Sequence, residues 1–416
     1  MGQPIMRTQT LFLDDARIGR FRPQANSLHQ GFLEMVCQSP CSHNLKEFLI
    51  HGANAVSHLS DKLQSRLGAW KGIPEFKRSL VRDLESASEQ HGFLASRARC
   101  LMQFGARMLF QNCRRCLTVD LSWPAYQYEL TRAATQLGGD IINAPLRKSL
   151  LEKGWDIEEI CDYLASVCRQ QRCDGIFLPA VDSWGIQLPI QAIVERLRQE
   201  QEIRFVLIDA AQAIGHVDLA PLSGIADFLV AGTHKWVGSY FPLGIGIACN
   251  PNSQTWISNC VQSMIASTSM DDGLLKFVSS VETNREVRHP ETANLGPLIA
   301  ACGAWKGTPC VRKSLPTRLQ NADQVAEIAS TIGWTPIRPN LEMRTGCLLL
   351  QAADKEIRNS NPDELRLAFS DSGLILSTYH EGIIRLAMPA SKLQTHEMLQ
   401  IESALERVSQ RALVTC

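Results

Sequence analysis

The sequence predicts an α/β protein: one largely parallel sheet with crossover helices over about residues 75–260, followed by a smaller α+β unit. Three observations carry this. Short apolar runs alternate with longer amphipathic stretches between residues 92 and 248. Several of those runs are apolar throughout, as in Phe205-Val206-Leu207-Ile208, the pattern of strands buried on both faces. The last stretch, from Arg344 to Cys416, reads strand, helix, strand, helix.

Taken in order, residues 1–30 are polar and irregular. From 45 to about 89, apolar positions such as Leu59, Leu63, Leu67 and Trp70 recur at intervals of three and four, which predicts helix. Pro74 opens a further helix, as proline does in a first turn. Strands are expected at 92–95, 117–120, 175–178, 205–209, 228–231 and 244–248. Helices are expected at 97–110, 126–137 and 190–201, and again over 297–332. The final unit has strands at 347–350 and 383–386 and helices at 362–370 and 396–411. The expected organisation is a segment 1–74 packing with the small domain, a large α/β domain 75–296 and a small domain 297–416.

Composition narrows the function. Lys and Arg number 42, as do Asp and Glu, so the basic excess of a nucleic-acid binder is missing. No apolar run approaches the ~20 residues that span a bilayer. Asp14 and Asp15 interrupt the N-terminus, which has no signal-peptide core. The 14 cysteines are irregularly spaced and read as free thiols. Together these features predict a cytoplasmic protein. Cys113-x-x-Cys116 has no second pair at a suitable distance, so no metal site is expected.

The chemistry lies in two stretches, Val206-Leu-Ile-Asp209-Ala-Ala-Gln212 and Ala226-Asp-Phe-Leu-Val-Ala-Gly-Thr233-His234-Lys235. An acid ends one buried strand and a lysine follows a later one. Ligands of open α/β sheets sit outside the carboxyl ends of strands, so both side chains are expected in one crevice. Lysine is the amine that forms a Schiff base with an aldehyde cofactor. A carboxylate keeps a pyridine nitrogen protonated, which turns the ring into an electron sink. Either feature alone is commonplace; their order and spacing together are specific. A nucleotide-binding Rossmann protein is the weaker rival, because Ser96 to Leu101 holds no glycine.

On the signature Asp209-x-x-Gln212 followed by His234-Lys235, the chain resembles the class V aminotransferases and cysteine desulfurases. These are pyridoxal-phosphate (PLP) enzymes of fold type I, and the resemblance is strongest across 200–250. It implies a mainly parallel, seven-stranded type of sheet, a PLP cofactor, a small α-amino acid substrate and a homodimer. Lys235 would hold the cofactor, Asp209 pair with its ring nitrogen and Gln212 contact its phenolic oxygen. His234 and Thr233 would reach the phosphate, with Ser96, Arg97 and Ala98 at the start of a helix. Trp123 would stack on the ring. Thr292, in Glu291-Thr-Ala-Asn294, would reach the neighbouring subunit's phosphate. Arg385 would clamp the substrate carboxylate, with His58 and Asp182 on the substrate side.

Two departures stand out. Only Ser96 offers a hydroxyl where the family usually has several. The loop from Ser372 to Gly382, where desulfurases carry a nucleophilic cysteine, contains none; Tyr379 and His380 stand there, and Cys347 reads as core. Aminotransfer is the first expectation, with C–S (β-elimination) lysis or an unusual desulfurase, and then racemisation, as alternatives. The residues around the cofactor are the same for all. A non-catalytic relative of the fold is opposed by the intact Lys235 and Asp209.

Overall fold

The computed structural model describes residues 10–56, 58–82, 91–267, 271–283 and 293–414. Its strands in chain order are β1 (Leu11–Phe12), β2 (Gly92–Ala95), β3 (Arg115–Val119), β4 (Asp140–Ala144), β5 (Gly175–Pro179), β6 (Phe205–Asp209), β7 (Phe228–Gly232), β8 (Gly244–Ala248), β9 (Trp334–Ile337), β10 (Cys347–Ala352), β11 (Leu374–Ile375), β12 (Ser377–Tyr379) and β13 (Ile383–Ala387).

Seven of these form the main sheet, in the order β2-β8-β7-β6-β5-β3-β4. The pairings β3–β4, β3–β5, β5–β6 and β6–β7 are parallel. β8 runs antiparallel to both its neighbours, β7 and β2. Residues of β5, β6, β7 and β8 are buried along their whole length, as their apolar runs require. β4 escapes a hydropathy reading because it is an edge strand with Asp140 and Asn143 exposed. The crossover helices include Ala98–Asn112, Pro124–Leu137, Ile157–Gln171 and Ile190–Glu200. Helix Ile157–Gln171 opens with a reciprocal capping box between Asp156 and Glu159.

A second, four-stranded antiparallel sheet, β12-β13-β10-β9, forms the C-terminal unit. The helices Val311–Thr331, Pro362–Asp371 and Thr395–Val414 flank it. β1 pairs in parallel with β11, so the start of the described chain is stitched to this unit.

The expected block 1–74 is divided. Leu13 packs in the core of the C-terminal unit. Phe32, Phe48, Leu63, Leu67 and Trp70 instead join one continuous core with strands of the main sheet and with helix Gly296–Lys306. The helices of residues 23–81 present large apolar faces that the main sheet's side covers. Residues 23–30, expected to be irregular, open the helix Pro23–Gln38, with proline at its first turn and Ala25, Leu28 and Phe32 turned inward.

Candidate active site

β6 and β7 are adjacent and parallel, so their carboxyl ends open on one side of the sheet. Asp209 is the last residue of β6; Lys235 lies three residues past the end of β7. Both line a single cavity of about 550 Å³. The Asp209 carboxylate is 6% exposed and accepts the Ala211 backbone N–H at 2.8 Å. Burial pushes it up to about 6, although that N–H and the Lys235 charge pull the other way. Burial likewise pushes the Lys235 amine down to about 8, opposed by Asp209. Two opposite charges thus share a desolvated site, and each is closer to its neutral form than in water.

The lysine turn is braced from several sides. Thr233 is fully buried, and its hydroxyl accepts from Ser239 Oγ at 2.8 Å. Its N–H donates to Leu243 O at 3.1 Å. It therefore closes the 233–243 loop and does not line the cavity as expected. The segment Ala16–Arg22 runs across the turn as a strap. Gly19 N–H donates to His234 O at 2.7 Å, and the Arg22 guanidinium donates to Val237 O at 2.6 Å and Trp236 O at 3.0 Å. A Cβ at position 19 would come within 1.9 Å of the Lys235 carbonyl oxygen, so only glycine fits.

Gln212 lines the cavity, with its amide used by the protein. Nε2 donates to Ala16 O at 2.7 Å, and Oε1 accepts from the Trp236 indole at 3.0 Å. Behind it, His216 lies flat on Trp236, with ring centroids 3.7 Å apart. His216 Nε2 accepts the Gly346 N–H at 3.0 Å, and Nδ1 lies 3.0 Å from Gln212 O. This assigns a neutral ring donating from Nδ1, and burial holds its pKa well below the ordinary value.

His234 also lines the cavity; its buried Nδ1 has no protein partner among the described residues. Burial, with Lys235 and Arg97 nearby, lowers it to about 4. The start of helix Ala98–Asn112 is close by: a Cβ built on Gly232 would lie 3.2 Å from His234 Nδ1 and 3.7 Å from the Ala98 Cβ. That helix has no side-chain cap, and its Cys100 N–H donates to Arg97 O at 3.1 Å. Ser96 is turned away; its N–H and hydroxyl both donate to the Asp272 carboxylate, at 3.0 and 3.2 Å. Arg97 is exposed. None of Ser96, Arg97 and Ala98 lines the cavity, and the expected hydroxyl ligand is already occupied by Asp272.

Trp123 lines the cavity mouth at 54% exposure and precedes the proline that starts helix Pro124–Leu137. Tyr126, one turn on, is a buried wall residue that the sequence reading did not single out. Across the cavity, Arg385 is 3% exposed on β13, an inner strand between β12 and β10. Its guanidinium donates to Ser183 O and, at 3.1 Å, to Ser377 Oγ; Asp14 lies 3.7 Å away. Asp182 is 1% exposed on the same wall, and Tyr379 stacks on Trp184 with centroids 4.8 Å apart. His58 is exposed and does not line the cavity; His380 is exposed as well. Thr292 lies outside the described residues. Cys347 packs against Ala16, Trp236 and Ala387, and burial pushes its thiol up to about 11.

The residues present fit a pyridoxal phosphate. An acid and a lysine share the floor, an imidazole nitrogen with no partner among the described residues lies beside the start of helix Ala98–Asn112, and Trp123 and Tyr126 line the cavity. No described helix is long and apolar enough to cross a membrane.

Residues 171–267 match the model of the family described as aminotransferase class-V, a span that contains both Asp209 and Lys235. No match exists among curated proteins. Solved structures resemble the chain over nearly its whole length. The cysteine desulfurase CsdA from Escherichia coli superposes with a TM-score of 0.68 at 12% identity, covering 99% of this chain and 96% of that one. The cystine C–S lyase C-DES, bound to its product cysteine persulfide, gives a TM-score of 0.66 at 12% identity, covering 95% and 97%. A NifS-like protein gives 0.64 at 14%, covering 98% and 100%. At these identities the likeness establishes the shared fold. With that fold, and with a matched segment that contains both Asp209 and Lys235, the chain has the fold of the fold type I PLP-dependent enzymes and is similar over residues 171–267 to the class V aminotransferases.

Proposed function

We propose that this enzyme acts on a small α-amino acid at Cα, with Lys235 as the group that holds the cofactor and moves the Cα proton. The observation that carries the reading is the shared cavity of Lys235 and Asp209, each shifted toward its neutral form by burial against the pull of the other's charge. When bound, PLP supplies an electron sink for the pair of electrons left at Cα. Everything else falls to the chain. Asp209 holds a positive charge at the ring nitrogen. His234, beside the start of helix Ala98–Asn112, faces the phosphate, and Trp123 covers the ring face. Arg385, buried and held by Ser183 and Ser377, takes the substrate carboxylate as a fixed fork.

Lys235 is suited to proton work because its amine, lowered to about 8, holds an appreciable neutral fraction near physiological pH. Aminotransfer and β-elimination both begin with its removal of the Cα proton. β-Elimination, of the C–S lyase kind, is the reading we favour over aminotransfer. The C–S lyase C-DES and the desulfurase CsdA share the fold, and the 372–382 loop here has no cysteine to capture sulfur. We further propose a cytoplasmic homodimer in which Thr292 reaches the partner's phosphate; light scattering of the purified protein tests the dimer.

Purified protein treated with borohydride should carry a reduced cofactor adduct on Lys235, found by peptide mass spectrometry. Incubation with S-alkyl cysteines should release thiol, pyruvate and ammonia. Pyridoxamine phosphate and a keto acid as the sole products would return the reading to aminotransfer.

A further inference from the structure

Asp182 follows β5 on the loop that closes back on Gln187. Its Oδ1 accepts two backbone N–H groups, from Trp184 at 2.9 Å and Ile186 at 2.8 Å, which fix the plane of the carboxyl. Oδ2 is buried and has no hydrogen-bond partner among the described residues. The next residue is gripped from the other unit, because Ser183 O accepts from both the Arg385 guanidinium and, at 3.1 Å, Tyr379 Oη. A buried oxygen left unpaired in a carboxyl held this firmly costs free energy unless a ligand completes it. Asp182 shares the cavity wall with Tyr379 and Arg385, where the substrate is placed above.

Elimination leaves a group on Cβ that must carry away an electron pair, and a thiolate departs more readily with a proton. The other titratable groups lining the cavity are poorly placed or poorly suited to give one. His234 lies at the phosphate end and is lowered to about 4. Tyr126 is raised well above its ordinary value, and Tyr379 is raised to about 12. Lys235 is engaged at Cα, and Asp209 at the ring nitrogen. Trp123 offers only an indole N–H.

We propose that Asp182 is the acid that protonates the substrate's β leaving group, a role that rests on the elimination reading above. In the step, Lys235 has taken the Cα proton. The Cα electron pair becomes the Cα–Cβ double bond, and the Cβ–S bond breaks with its electrons on sulfur. Sulfur takes the proton from Asp182 Oδ2. Asp182 is left as a carboxylate and regains its proton from water when the product leaves.

The surroundings keep that proton in place near neutrality. Burial pushes Asp182 up to about 7, against the N–H groups of Ile186 and Trp184 and the charge of Arg147. The other charged and titratable groups facing it are Cys347 on β10, Tyr379 on β12 and Arg385 on β13. The acid form is thus present below about pH 7 and lost above it.

The test compares two substrates of the holoenzyme, S-methylcysteine and β-chloroalanine. Chloride leaves without a proton, so only the thioether needs the acid. For the native enzyme, the ratio of kcat/KM for the thioether to that for the chloride should fall as pH rises through about 7. Asp182→Asn should lower turnover of the thioether by roughly 100-fold, the low end for a general acid, and largely spare the chloride. Retained chloride turnover also shows that the variant is folded. Equal loss on both substrates, or a ratio flat with pH, overturns the acid role and leaves elimination standing. Native enzyme that eliminates from neither substrate overturns the elimination reading, and this proposal with it. A readout independent of turnover is ¹³C NMR of the aspartate-labelled holoenzyme: one carboxyl titrating near neutrality should vanish in Asp182→Asn, and its absence from the native protein sinks the idea.

Discussion

The two sides of the cavity are built in different ways. The floor hangs from neighbouring parallel strands: Asp209 ends β6, and Lys235 lies three residues past the end of β7. The opposite wall is assembled from three segments far apart in the chain: Asp14–Arg17, Asp182–Trp184 and Ser377–Arg385. On the floor, position follows from strand register. The wall exists only because hydrogen bonds draw distant segments together, such as Arg385 and Tyr379 onto Ser183 and Ser377 onto Asp14. On the proposed reading, the groups that hold the cofactor sit on the sheet and those that hold the substrate sit on the seam between the two units.

The sharpest way to break the floor is Lys235→Ala. On the role proposed for it, Lys235 both holds the cofactor and moves the proton, so its removal should cut kcat at least ~10³-fold, within the range of a lost acid–base group. The borohydride adduct should vanish as well. Breaking the wall should show in binding instead. On the proposed role, Arg385→Ala removes the hydrogen bonds to the substrate carboxylate, and it leaves Asp14 buried without the guanidinium 3.7 Å away. A loss of roughly 3 kcal/mol, about 100-fold, is expected, mostly in KM. An effect confined to kcat would contradict the carboxylate role.

The floor also stores a stability cost that pH should expose. In the cofactor-free protein the folded Lys235 titrates at about 8, against an ordinary 10.5. The unfolded chain therefore binds more protons between those values, and stability rises with pH across that window. Below about pH 8 the penalty is fully present, ~3 kcal/mol at 1.36 kcal/mol per unit. Lys235→Met should then raise the cofactor-free protein's stability at pH 7 by ~1–3 kcal/mol, less whatever Asp209 loses with its counter-charge. The gain should disappear above pH 10.5. Urea midpoints at the two pH values measure it, and a gain that persists at high pH would mean packing, not charge.

The same contrast explains what the sequence disclosed. Apolar runs announced β5 to β8, and their order set Asp209 and Lys235 side by side, because strand ends are fixed by local pattern. Arg385 and Asp182 reach the wall. The hydroxyl residues behave differently from expectation for a shared reason. Ser96 and Thr233 sit at strand ends, where short polar side chains find local partners, here Asp272 and Ser239, before they reach a ligand. His58 falls on an exposed turn whose sequence carries no signal for burial. The strap Ala16–Arg22 was invisible because its role lies in backbone contacts, Gly19 to His234 O and Ala16 O to Gln212, which leave no trace in hydropathy.

The mildest probe tests whether the seam acts as one piece. Tyr379→Phe deletes a single hydrogen bond, from the phenol to Ser183 O at 3.1 Å, and keeps the ring stacked on Trp184. A neutral hydrogen bond contributes about 1 kcal/mol to stability, so the change in overall stability should be of that size. Ser183 O keeps its bond from Arg385, so the loop has a second anchor. The expected kinetic effect is therefore a several-fold rise in KM, from a looser Asp182–Trp184 loop, with kcat nearly unchanged. If Asp182 and Arg385 are held by this loop as a unit, combining Tyr379→Phe with Asp182→Asn should give less than the sum of the two separate losses in activation free energy. Strict additivity would show that the phenol and the carboxyl act through separate parts of the wall.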